Sequence, residues 1–125
     1  DYGVSELADN CLAKNLNKTI KIINENNFNV DDSILIIRTL LNKTKRILEI
    51  KKNQNQNINI DQIISSYKPP IFWKDKEIVK SQVSKWKLSE AENLVEKIYS
   101  LELSVKKNYQ NSKYIISDFI LNTAS

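Results

Sequence analysis

Apolar residues recur along the chain at spacings of three and four, and strict alternation of apolar with polar positions is nearly absent, so the pattern predicts helices from end to end. Leu16, Ile20 and Ile23 share one face of a short helix that ends in the polar run Asn24 to Asn27. Asp31 or Asp32 is placed to cap the next helix, whose Ile34, Ile37, Leu41, Thr44 and Leu48 form a stripe widened by Leu40 and Ile47. A stripe that broad packs against more than one neighbour. The run from Lys51 to Asn59 is almost wholly polar and reads as a frayed helix end and loop, or as a disordered segment.

Asp61 opens a short helix with Ile60, Ile63, Ile64 and Tyr67 on one side, and Pro69 with Pro70 ends it because neither has an N–H to donate. Val79, Val83 and Trp86 then align on a helix with a lysine-rich outer face. Ser89 and Glu92 have the spacing of a capping box, in which hydroxyl and carboxylate satisfy each other's backbone N–H groups. The helix it starts carries Ala91, Leu94, Val95, Ile98, Leu101 and Val105 on one face and runs to about Lys107. Asn111 or Ser112 caps a last helix with Ile115, Ile116, Phe119 and Ile120 inward.

Composition narrows the class. Gly3 is the only glycine and Pro69 and Pro70 are the only prolines, which leaves few tight turns and favours helices over sheet. The expectation is an all-α fold, a compact bundle of about five to seven helices around one core. The 125 residues suit a single domain, and the absence of methionine, with Asp1 at the start, reads as a piece of a longer chain. No charge-poor run approaches the roughly 18 residues a membrane span requires. A lone Cys11 forms no internal disulfide, so a cytoplasmic, reducing location is expected. The sequons at Asn17 and Asn42 are taken as accidental.

A formal charge of +4 suits an anionic partner such as nucleic acid. It also follows from a chain dominated by lysine, asparagine and isoleucine, all of which have A- and T-rich codons. Without histidine there is no imidazole base or histidine metal ligand, and a single glycine allows no phosphate-cradling loop. The acids, including Asp31, Asp32, Asp61, Glu90 and Glu102, fit helix starts and solvated faces, so no catalytic residue, metal or cofactor is expected. Cys11, beside Leu12 in a helical pattern, reads as a buried thiol and not a nucleophile.

Two places combine cations with aromatics. Phe72 and Trp73 lie between lysines just after the proline break, and Tyr109 follows Lys106 and Lys107 where a long helix should end. Each is a candidate for stacking a nucleic-acid base on a ring flanked by charge, or for a ring that fills a seam between helices while the lysines stay in water. Leu103 lies off the buried stripe of its helix, and Ile115 and Ile116 point to adjacent sides of theirs, so these three are candidates for a subunit interface.

From Tyr67 to Leu121 the residues take on the character of a known family. Lys68, Pro69, Pro70, Ile71, Phe72, Trp73 and Lys74, the helix ending at Trp86, and the run Leu101 to Lys107 leading to a final amphipathic helix resemble the C-terminal domain of the bacterial DNA polymerase III delta subunit. Upstream, Leu7 to Ile23 looks like the pair of short helices that opens that domain, and Asp32 to Lys52 looks like its long helix. One departure is Asn108, Tyr109 and Gln110, where many relatives carry glycine or a small residue. The resemblance implies a collar domain, residues 1–125, from which the AAA+-like N-terminal modules are missing. It implies a role in the pentameric clamp loader that places the sliding clamp on primed DNA. Partners would be the other loader subunits through the collar, primed DNA in the assembled complex, and the clamp only through the missing module. The competing reading is a free-standing helical nucleic-acid-binding module. An enzyme ranks behind both, since it requires carboxylates that converge in a pocket.

Overall fold

The computed structural model describes residues 2–125, with side chains described from Gly3 onward. Among the described residues seven α-helices follow one another: α1 Tyr2–Leu12, α2 Leu16–Asn26, α3 Ser33–Gln54, α4 Ile60–Ser66, α5 Lys76–Lys85, α6 Leu88–Lys107 and α7 Ser112–Ala124. Single 3-10 turns at Val30–Asp32, Trp73–Asp75 and Tyr109–Asn111 lead into α3, α5 and α7. The described residues contain no strand, in agreement with the expected all-α bundle.

The long helices α3 and α6 pack antiparallel, as the pairing of Asp31 with Tyr109, Arg38 with Glu102 and Lys45 with Tyr99 shows. Around them α1, α2 and α7 close the main core, in which Leu7, Leu12, Ile37, Leu40, Ile47, Ile98 and Ile120 are almost fully buried. A second cluster, Ile50, Ile63, Ile64, Ile71, Val79 and Val83, ties α4 and α5 to the far end of α3. The buried α3 stripe is shifted from the one the sequence pattern drew: Ile36 and Ile50 are buried, while Ile34 and Leu48 are half-buried.

Three local expectations are corrected. In α2 the buried positions are Thr19 and Ile22, while Ile20 is exposed. The neighbours α1 and α7 choose the face, and Thr19 enters it because its hydroxyl donates to Asn15 O at 2.8 Å. The cap before α3 sits at Asn29: its Oδ1 accepts from Asp31 N at 2.8 Å while Asp32 Oδ2 accepts from Asn29 N at 3.0 Å. Before α6 it is Glu90, not Glu92, that reaches back, accepting from Lys87 N at 2.8 Å. The buried indole of Trp86, donating to Leu12 O at 2.8 Å, fixes the chain just upstream, so the helix begins at Leu88.

With one glycine, left-handed positions fall to other residues. Asn27 and Asn57 adopt φ of 46° and 63°, a conformation asparagine tolerates well. Lys14 also adopts φ of 58°. Its ammonium is tied down, donating to Thr123 O at 3.3 Å and Ser125 O at 3.4 Å at the end of α7 and lying 4.4 Å from the Trp86 ring. A cation on the last carbonyls of a helix is well placed against its dipole.

Candidate functional site

After α4 the chain extends through Tyr67 to two exposed prolines, then turns Ile71 into the second cluster. That side chain, and not an aromatic ring, fills the gap between helices. Phe72 and Trp73 face outward, 57% and 68% exposed, with ring centroids 6.0 Å apart and planes tilted by 50°. Asp75 N donates to Phe72 O at 2.8 Å and closes the turn, and Lys74 Nζ lies 5.5 Å from the Trp73 ring. Of the two readings open for these rings, their exposure excludes the buried seam.

At the other candidate, α6 ends at Lys107 and the next turn projects Tyr109, 42% exposed. Its hydroxyl donates to Asp31 Oδ1 at 3.4 Å, and partial burial followed by the Asp31 charge pushes the phenol above its ordinary range, so it is neutral near pH 7. Lys106 Nζ pairs with Glu102 Oε2 at 2.9 Å, and Arg38 Nε pairs with Glu102 Oε1 at 3.2 Å. Hydrogen bonds from Lys106 and then Arg38 hold the Glu102 carboxyl below the usual carboxylate range. Lys107 stays exposed. Acids are thus interleaved with the cations here.

The two aromatic candidates are not brought together. Tyr109 sits at the start of α3 and Phe72 with Trp73 near its end, where Ile71 packs with Ile50, and the helix between Asp31 and Ile50 spans about 30 Å. Among the interface candidates Leu103 is 61% exposed and Ile115 is half-buried. The expectation that Ile116 is an exposed apolar position is corrected: it is 4% exposed and belongs to the main core, because α7 turns the Ile116, Ile120, Ala124 line toward α1 and α3.

Two features escaped the sequence reading. A groove of about 890 Å³ runs between α6 and α7, lined by Leu94, Lys97, Leu101, Asp118, Phe119 and others. Beneath the surface, Asp9 of α1 joins three helices: its Oδ1 accepts from Lys43 Nζ at 2.9 Å and from Gln82 Nε2 at 3.1 Å, and Arg46 Nη2 lies 3.9 Å away. Gln82 Nε2 also donates to Asp9 O at 3.0 Å. The signal was available, since Asp9 interrupts the apolar run Leu7, Ala8, Cys11, Leu12, and Gln82 sits beside Val83 on an inward face.

Cys11 is buried, with its thiol donating to Ile120 O at 3.5 Å, and burial pushes it up to about 12 against a weaker opposing effect of Lys14. The protonated thiol is therefore the form the fold favours, and its stabilising share is complete below pH 9 and lost as pH rises toward 12. Iodoacetamide at pH 8 is expected to leave the native protein unmodified and to alkylate it fully once denaturant is added. Fast alkylation of the folded protein would contradict this burial. Among the described residues no group of three or more Cys, Asp or Glu side chains is arranged to hold a metal ion, and no helix is long and apolar enough to cross a membrane.

Neither a curated protein nor a solved structure matches the chain significantly. The family model described as DNA polymerase III delta subunit, C-terminal domain, matches residues 3–123, from the first turn of α1 to the last of α7. A match that takes in all seven helices means that the chain belongs to the family of C-terminal domains of the DNA polymerase III delta subunit.

Proposed function

We propose that this chain is the oligomerisation (collar) domain of a delta subunit, which holds that subunit in the cytoplasmic pentamer that loads the sliding clamp onto primed DNA. In this reading it is non-catalytic: its partners are the other loader subunits and, in the assembled complex, primed DNA, while the clamp is met by another module of delta. The family match over residues 3–123 carries the reading. Leu103, outward on α6, gives that helix apolar surface that the core does not use, and Ile115 of α7, which packs partly against the core, lines the groove beside it.

Leu103→Glu is expected to weaken assembly with the partner subunits by about tenfold or more, with the melting temperature unchanged, because the side chain it replaces is exposed in the free domain. Pull-down with the partners, alongside a thermal melt, reads both quantities. Undiminished assembly would move the interface off this face of α6. Tyr109, with Lys106 and Lys107, is proposed as the contact to the template strand.

A further inference from the structure

We propose that the groove between α6 and α7 seats one amphipathic helix with a basic edge, supplied by a neighbouring loader subunit. This rests on the oligomerisation reading and adds to it the place and the chemistry of one contact, apart from Leu103, which does not line the groove. Shape is the first support. Leu94 and Leu101, seven residues apart on α6, and Ile115 and Phe119, four apart on α7, make an apolar floor. Ser100 and Ser104, one turn apart, stand exposed on the α6 wall. Side chains this short let another backbone approach as closely as packed helices do, at axis separations of roughly 8–10 Å. From Asn93 to Ser104 the wall runs about 17 Å, roughly three turns of helix.

The second support is the backbone of the walls. Both are α-helices, whose amides and carbonyls bond within their own helix, so the groove offers no strand edge to an extended peptide. An occupant of an apolar floor must bring its backbone bonds already satisfied, as a helix does. The third support is charge. The chain carries +4, yet Glu90, Glu96 and Asp118 line the groove against Lys14 and Lys97. Lys14 is already engaged by the last carbonyls of α7 and by the Trp86 ring. Glu96 on α6 and Asp118 on α7 are exposed, and neither forms an ion pair among the described residues. A helix lying between the walls therefore meets a free carboxylate on each side, and lysine or arginine along its flanks is the complement. A nucleic-acid strand in the same place would set its phosphates against those carboxylates.

The test is a titration of the 125-residue protein with its purified partner subunits. Ser100→Trp fills the groove, and Glu96→Lys with Asp118→Lys reverses its charge. Each variant is expected to weaken assembly by about tenfold or more with an unchanged melting temperature, because the replaced side chains are exposed in the free domain. Ser100→Ala should assemble like the parent. Added salt should weaken assembly of the parent more than that of the charge-reversed variant, since only the parent has the attraction to screen. Ser100→Cys carrying a benzophenone maleimide, attached at neutral pH where the buried Cys11 stays unlabelled, should photo-cross-link to one lysine- or arginine-bearing helix of one partner. If Ser100→Trp melts early, the charge-reversed variant and the cross-link decide. Parent-like assembly by a folded variant of either kind overturns the groove as a seat and leaves the oligomerisation reading standing. A cross-link to no subunit, or to an acidic or extended segment, does the same. A parent chain that fails to assemble at all overturns the oligomerisation reading, and this contact with it.

Discussion

Asp9→Ala is expected to destabilise the domain by about 3–5 kcal/mol, a large part of the roughly 5–15 kcal/mol that holds a fold of this size together. The carboxylate pairs with two cations whose side chains are only 15% and 17% exposed, Lys43 and Arg46. Removing it leaves both charges poorly solvated and close together. The change also frees one of the two bonds of Gln82, which is fully buried and whose Oε1 has no partner among the described residues. A midpoint shift of roughly 10–20 °C follows for a chain of this length. Asp9→Asn keeps an acceptor for Lys43 and Gln82 but not the charge, and should fall between the parent and the alanine variant. Replacing Lys43 and Arg46 with apolar residues in the Asp9→Ala background should recover much of the loss, because a buried ionic cluster exchanged as a whole for well-packed apolar groups is often neutral. Denaturant unfolding measures all three. A loss under about 1 kcal/mol for Asp9→Ala would mean that the cluster behaves like a surface ion pair.

Tyr109→Ala is expected to reduce the assembled loader's affinity for primed DNA by roughly fivefold to a hundredfold, the worth of one stacked base, while assembly and melting temperature stay nearly unchanged. The ring projects from the end of α6, and its hydrogen bond to the exposed Asp31 is long and contributes little to the fold. Tyr109→Phe removes that bond but keeps the ring, so it should bind DNA nearly as well as the parent. Fluorescence anisotropy of a labelled primer–template reads the affinity. If Tyr109→Ala melts early and the loader that still assembles binds DNA normally, the tyrosine is a structural brace between the starts of α3 and α7.

Most helices were legible because a helix is set by spacing and by local bonds. The stripe Ala91, Leu94, Val95, Ile98, Leu101, Val105 is buried as predicted, and α6 ends at Lys107. The prolines end α4 because they lack an N–H. Caps were less legible, since several Asn, Asp, Ser and Glu residues near each start compete for the same backbone groups. Which one wins depends on anchors such as Trp86, whose bond to Leu12 O comes from a segment 74 residues away.

By itself, then, the sequence determined that this protein is a bundle of amphipathic helices, and it carried enough local character after Tyr67 to point to the family. Those properties follow from periodicity, from the scarcity of glycine and from residue order. Only the tertiary structure decided which side of a wide stripe meets water. It placed Ile116 in the core and left Leu103 out, sent Ile71 inward and Phe72 with Trp73 outward, and set Asp9 between Lys43 and Gln82. Each of these choices depends on where a distant helix lies, because burial is a property of pairs of surfaces and no single segment contains its partner.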